Sequence, residues 1–419
     1  MFVPRTLPGD VVDVRLVDQR KRYAFAELLA LRQASPQRVP APCQLYDRCG
    51  GCHLQHLGYD GQLANKNQQV GDCLTRIGRL PDVPVLPTLA SPKPFGYRNK
   101  ALYHFDAASG ALGLIERGRS AVLDVPQCQI GDARIDVVMQ RIRDLVTQEQ
   151  ALRRVLHQVQ VQVGQHTGEV LVTVIVQGHV AEQAQHRLWQ SLNDLVSGLM
   201  MHRKTSVTPA VFDGVTSHLG GNTVIHERIG DLRFEIVPEA FFQVNSGQTE
   251  QLYGLVRAAA RLEPQDVVLD LYSGSGSIAL TLAPHCAVVH AVESSRQATL
   301  LAVRQAERLG IANCQFRTGK VERILYRYLA QSVRANVAVL DPPRAGCRPQ
   351  TLEALAAMRI PRIVYVSCSP PTLARDLRLL TDLGYCAESV QPLDMFPQTY
   401  HVECLAILHH AASAGPDAG

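Results

Sequence analysis

Nowhere in its 419 residues does the chain reach the ~18 to 20 unbroken apolar positions that a membrane helix needs. Its opening, "MFVPRTLPGD", has neither a basic n-region nor an apolar h-region. Both absences predict a cytoplasmic protein. Internal repeats are missing, and so is low-complexity sequence outside a short tail, "AASAGPDAG". Strong charge of either sign is lacking too: 42 Lys and Arg against 38 Asp and Glu leave a formal net charge of +4, too mild to point to a polyanion by itself. The stretch "RLVDQRKRY" suits a phosphate-facing patch and equally a solvated charged face. The eleven cysteines come without an even count or a secretory leader, which argues against a disulfide framework and towards metal binding or catalysis.

With 46% hydrophobic and 19% charged residues, the composition is that of a soluble globular protein long enough for two or three domains. Residues 1 to about 32 alternate apolar and polar positions between a Pro-Gly turn and the proline-rich "ASPQRVPAPC". That predicts a small β unit, too short to bury a core alone. The middle of the chain mixes a helix from Asp132 to Val146 with strands at "VQVQV" and "EVLVTVIVQG". From about Phe241 the pattern becomes strand, glycine turn and helix, repeated, the pattern of a doubly wound α/β domain.

In "VVLDLYSGSGSIAL" an apolar strand runs into Asp270, Gly274 and Gly276 and then a helix. Glycines let backbone approach a ligand closely, although a strand followed by G-x-G is shared by dinucleotide-binding and methyltransferase folds, and a ligand-free turn is the plain alternative. The next strand, "AVVHAVE", ends in Glu293, 19 residues after Gly274, where an acid can accept from a ribose diol. The acid at the strand end, Asp270, would repel a pyrophosphate and suits cationic S-adenosylmethionine.

The later strands end in chemistry. "VAVLDPPRAG" places Asp341 at a strand end, followed by two prolines; the Asn-Pro-Pro-Tyr common in amino-group methyltransferases is absent, so an amine is disfavoured as the methyl acceptor. In "RIVYVSCSPPTLARD", Cys368 lies just past a buried strand, on the side where open α/β sheets bind ligands, with Pro370 and Pro371 expected to stop the strand and stiffen the turn. A thiolate there can add to an electron-poor ring and make the neighbouring carbon nucleophilic. "FPQTYHVECLAIL" brings His401 and Glu403 to the start of a last strand, where a carboxylate can take a proton from carbon. The bland alternatives are a buried hydrophobe for the cysteine and a solvated side chain for the glutamate.

Taken in order, "DLYSGSG", "DPPRAG", "SCSPPTLARD" and "FPQTYHVE" closely resemble the RNA uracil-5-methyltransferases that use S-adenosylmethionine, and "FFQVNSGQTEQLY" resembles their upstream cofactor segment. The resemblance implies that Cys368 attacks C6 of uracil and that Glu403 removes the C5 proton after methyl transfer. It also implies that Gln243, Tyr272, Glu293 and Asp341 hold the cofactor. Lys320 stands where relatives usually carry an acid near the adenine.

"CQLYDRCGGCHLQH" supplies Cys43, Cys49 and Cys52, and "DVPQCQIG" adds Cys128. Four such thiols suit tetrahedral zinc or a [4Fe–4S] cluster, and spacing alone leaves both open. The resemblance favours [4Fe–4S], since these positions match cluster ligands in the 23S ribosomal-RNA branch of the family, whereas the tRNA branch commonly lacks them. The expected architecture is a partial TRAM-like β unit (1–38), a central α+β RNA-binding domain with the cluster (39–240), a Rossmann-like class I methyltransferase domain (241–412) and a disordered tail (413–419). The expected molecule is a monomer that forms 5-methyluridine in 23S rRNA. A tRNA T-loop methyltransferase and a non-catalytic metal-cluster RNA-binding protein are the competing readings.

Overall fold

In a computed structural model, residues 1–206, 208 and 210–411 are described. The tail expected at 413–419 lies outside them. At the start of the chain, Val11–Gln19 and Ala24–Gln33 form an antiparallel two-stranded ribbon, with Phe2 bridged to Phe25 beside it. Among the described residues this ribbon stays a separate two-stranded sheet and is not a closed barrel. Ion pairs fasten its flanks to the neighbouring segments. Arg38 pairs with the buried Asp10 carboxylate, whose pKa it holds well below the usual range, and Arg5 pairs with Asp47.

A first seven-stranded sheet runs in the order Val122–Asp124, Leu112–Ile115, Lys100–Phe105, Leu156–Val163, Val170–Val176, Gly198–Lys204, Gly214–Gly221. Its neighbours are antiparallel except for Val170–Val176 beside Gly198–Lys204. The helix expected from Asp132 spans Ala133–Gln148, with Asp132 as its N-cap accepting from Arg134 N–H. Its Ile135, Val138, Met139 and Ile142 bury against Val159, Val161 and Val172. In "VQVQV" the polar alternation does not reach solvent. Gln160 and Gln162 are buried, because the backbone of residues 237–238 crosses them and accepts their amide N–H groups.

The second sheet has the order Cys314–Thr318, Val288–Glu293, Val267–Leu271, Val337–Leu340, Arg362–Ser367, Glu403–His410, Tyr385–Leu393. Its first five strands are parallel and its last two antiparallel. The central strands Val267–Leu271, Val337–Leu340 and Arg362–Ser367 read as nearly continuous apolar runs because both faces are covered, by two separate hydrophobic cores. This is the Rossmann-like methyltransferase arrangement. Pro370 and Pro371 form the first turn of the helix Pro370–Asp382, where a missing N–H costs nothing. Helix Tyr59–Cys73, far upstream, also reaches this unit: Val70 sits in the same core as Leu373 and Leu377.

Candidate active site

The strand order decides which side chains meet. Glu403–His410 inserts beside Arg362–Ser367 in antiparallel register, with Ser367 opposite Cys404. Cys368 follows Ser367 and Glu403 precedes Cys404, and the two are near enough for the Glu403 charge to act on the Cys368 thiol. Cys368 is half-buried and Glu403 is 3% exposed. Ser367 shapes the turn, its hydroxyl accepting from Ser369 N–H at 3.2 Å. Burial pushes the Cys368 thiol up, the Glu403 charge adds to the push, and the Arg344 guanidinium opposes it. Glu403 is raised well above the carboxylate range by burial and then by Asp341, again against Arg344. Asp341, whose N–H bonds Leu271 O at 3.2 Å, is pushed up to about 7 by burial. The site therefore holds one thiol, two carboxyls and one cation, and each negative charge raises the cost of the next.

Next to it lies the glycine loop. Tyr272, Gly274 and Gly276 all have positive φ (66°, 54° and 80°). A Cβ on Gly276 would strike the Phe316 ring at 2.9 Å, whereas one on Gly274 would meet nothing within 4 Å, so the loop is tight on its inner side and open on its outer side. Glu293 braces this loop, accepting from Gly274 N–H at 3.0 Å and Ser295 N–H at 2.7 Å. Asp270 is fully buried, and among the described residues neither carboxyl oxygen meets a hydrogen-bond partner. Burial, followed by the Asp341 charge, pushes it up to about 7. Two carboxyls poised to ionise beside an open loop fit a cationic cofactor, and fit a pyrophosphate poorly.

Tyr272 hydroxyl lies 3.4 Å from Thr351 Oγ1. Gln243 is half-buried; its carbonyl accepts from Asn99 Nδ2 at 3.0 Å, which ties the upstream cofactor segment to the first sheet. Cys368, Glu403 and Asp341 thus form one electrostatic group, and Tyr272 and Glu293 belong to the adjoining loop. Among the described residues no hydrogen bond joins the Gln243 side chain to either. Lys320 is the N-cap of the helix Val321–Ala330, beside Gly319, whose N–H bonds Glu293 O.

Away from the sheet edge, Cys43, Cys49, Cys52 and Cys128 line one cavity together with Tyr46 and Ile130. Among the described residues no three His, Cys, Asp or Glu converge as ligands of a single metal ion. The four thiols share the lining of that cavity, and four thiolates are a donor set that both zinc and an iron–sulfur cluster accept. Burial pushes Cys49 and Cys128 up, and Cys52 up to about 12. Gly51 N–H points at Cys49 Sγ at 3.3 Å, the kind of donor that tunes a cluster thiolate.

Two residues of consequence escape a reading of the sequence alone. Arg344 is visible in "DPPRAG" as a basic residue at a strand end where negative charge gathers, and that is its only signal. Arg117 staples the cysteine turn, donating to the carbonyls of Cys49 at 3.0 Å and Cys52 at 2.5 Å. Nothing in the sequence connects positions so far apart.

The sequence model of the tRNA (uracil-5-)-methyltransferase family matches residues 58–411. An uncharacterized RNA methyltransferase of Halalkalibacterium halodurans is 38% identical, over 97% of this chain and 92% of its own length. Another, from Listeria monocytogenes, is 37% identical over 98% and 92%. Among solved structures, the tRNA (uracil-54, C5)-methyltransferase of Pyrococcus abyssi in complex with S-adenosyl-L-homocysteine superposes with a TM-score of 0.78 at 28% identity, covering 97% of this chain and 95% of its own.

Proposed function

The chain belongs to the tRNA (uracil-5-)-methyltransferase family and is an S-adenosylmethionine-dependent RNA methyltransferase of the uracil-5 type; from that premise we propose that it forms 5-methyluridine in 23S ribosomal RNA through Cys368 and Glu403. The observation that supports the mechanism is the pairing of Ser367 with Cys404, which brings the next residue on each side, Cys368 and Glu403, to one end of the sheet within electrostatic reach of each other. Uracil C5 is a poor nucleophile. Addition of the Cys368 sulfur to C6 moves the ring's electron pair towards C5 and O4 as an enolate. Bound S-adenosylmethionine supplies an electrophilic methyl group for that carbon. Gln243, Tyr272, Glu293 and Asp341 hold the cofactor, with the unpartnered Asp270 carboxyl as further negative charge nearby. Glu403 then takes the C5 proton, the electron pair re-forms the C5–C6 double bond, and the Cys368 sulfur leaves. A carboxylate raised by burial is the stronger base for that proton. Arg344, which opposes the rise of both groups, favours the thiolate needed at the start and the carboxylate needed at the end.

Cys43, Cys49, Cys52 and Cys128 would hold a [4Fe–4S] cluster whose contribution is to order residues 39–240 as an RNA-binding region, with no redox step in the reaction. The ribosomal substrate rests on these four cysteines, through the branch of the family they resemble. A tRNA T-loop uridine is the second reading, favoured by the P. abyssi enzyme, whose substrate is tRNA uracil-54. Mapping 5-methyluridine in ribosomal and transfer RNA from strains with and without the gene separates them. Loss at a 23S uridine is the expected result. Loss only in the T-loop selects the second reading, and no loss in either RNA overturns both.

A further inference from the structure

Residues 394–398, which lead into Glu403, are held almost entirely by the first quarter of the chain. Lys66, fully buried, pairs with Asp394, equally buried, and donates to Phe396 O at 3.1 Å. Tyr97 hydroxyl donates to Pro397 O at 3.0 Å. Gln398 is the extreme case. Its N–H donates to Gln62 Oε1 at 3.0 Å, and its Oε1 accepts from Gln62 Nε2 at 3.0 Å. Its Nε2 donates to Pro94 O at 3.3 Å, and its O accepts from His53 N–H at 2.8 Å and Leu54 N–H at 3.0 Å. Every polar atom of Gln398 is thus bonded to residues 53–94. The residue is 2% exposed and sits at φ +68°, a left-handed conformation that a glutamine adopts only where its surroundings impose it.

The other end of this attachment is the cysteine turn. His53 follows Cys52 directly, and its ring packs against Tyr400 and His401, centroids 4.4 Å and 6.2 Å away. One backbone segment therefore lines the cysteine cavity with Cys49 and Cys52 and grips Gln398 with the two N–H groups that come next.

We infer that Gln398 is a positioning residue for proton abstraction: it rivets the loop that carries Glu403 to the cysteine turn, so that order in that turn governs the Glu403 step. The inference rests on Cys368 as nucleophile and Glu403 as base. Addition and methyl transfer depend on the strand ends and the glycine loop, which the rivet does not touch. Loosening it leaves Cys368 able to add and leaves Glu403 slow to release the product.

The test uses the full-length protein with its RNA substrate, comparing Gln62→Ala with the parent. Gln398→Gly serves as a second variant, since glycine tolerates the positive φ and keeps the backbone bonds. The expected result is at least a tenfold fall in kcat, an S-adenosylmethionine Kd within twofold of the parent by calorimetry, and a rise in denaturation-resistant RNA–protein adduct on normal RNA. Arg117→Ala, which frees the cysteine turn without touching Gln398, is expected to give the same signature at smaller amplitude. Turnover, cofactor affinity and adduct that fall together in both Gln variants overturn the inference, as does an Arg117→Ala enzyme that traps no more RNA than the parent. Glu403→Gln is the reference trap; if it accumulates no adduct, the base assignment fails and the inference falls with it.

Discussion

Burial pushes the Cys368 thiol and the Cys49, Cys52 and Cys128 thiols of the cysteine cavity in the same direction, yet their surroundings differ in kind. Cys368 is half-buried at a sheet edge, near the Glu403 carboxyl and within the field of Arg344, and the Cys404 thiol near it is fully buried. The cavity thiols are four, and the charges of Cys128, Cys49 and Cys43 each oppose ionisation of Cys52. A half-buried thiol with a cation nearby can ionise, react and be released. Four thiols that repel one another's charge ionise together only when a multivalent cation neutralises them. The difference sets a thiol suited to react apart from thiols suited to share a multivalent cation, where raised pKa values alone would not.

The strongest way to break that contrast is Cys368→Ala. It is expected to lower turnover by about 10⁴-fold or more and to form no adduct with 5-fluorouridine RNA, whereas Glu403→Gln falls by roughly 10²- to 10⁴-fold and accumulates adduct even on normal RNA. Denaturing gels and mass spectrometry of the cross-linked peptide read both. An adduct on Cys347, Cys386 or Cys404 would make Cys368 the wrong nucleophile.

A smaller effect sharpens the cofactor side. Glu293→Ala is expected to weaken S-adenosylmethionine by about 1.5 to 3 kcal/mol, roughly 10- to 150-fold, as for loss of a hydrogen bond to a charged group. Calorimetry measures it.

Smaller again is the pH dependence. Asp270 and Asp341 sit near pH 7 against 3.8 for an ordinary aspartate, so the unliganded fold binds more protons than the unfolded chain and loses stability as pH rises from about 3.8 through 7. A cationic ligand favours their ionised forms, so S-adenosylmethionine affinity is expected to rise with pH up to about 7, by at most about tenfold per unit for each proton released. Asp270→Asn is expected to flatten that rise, and a pH-independent affinity in the parent would count against the assignment.

The last comparison is read in metal content and uses Cys128→Ala, which is also expected to disorder the cysteine turn. Anaerobically purified parent protein is expected to carry about four iron and four sulfide per chain, as four thiolate ligands imply, and the variant none. Stoichiometric zinc without iron would replace the cluster with a single ion.

Much of the sheet was legible because its central parallel strands are buried on both faces and so read as apolar runs leading into Asp270, Asp341 or Cys368, with Glu293 closing the flanking run Val288–Glu293. The nearness of Cys368 and Glu403 was not legible, since it depends on Glu403–His410 pairing out of chain order. The Gln62–Gln398 exchange and the Lys66–Asp394 pair span more than 300 residues and leave no local period to detect. "VQVQV" is legible as a strand, but the burial of Gln160 and Gln162 is not, because the covering segment lies about 75 residues further along.

The insertion of Glu403–His410 between Arg362–Ser367 and Tyr385–Leu393 also sets an order of events during synthesis. Both neighbours precede that strand in the chain. Until it arrives, the strand below Cys368 has an open edge, with hydrogen-bonding groups free to pair with another chain. The nascent protein therefore passes through a stage in which the strand leading to Cys368 is translated but Glu403 is not. Catalytic competence and protection of that edge arrive together with the last strand of the sheet, so a ribosome stalled before residue 403 would hold an inert and aggregation-prone intermediate.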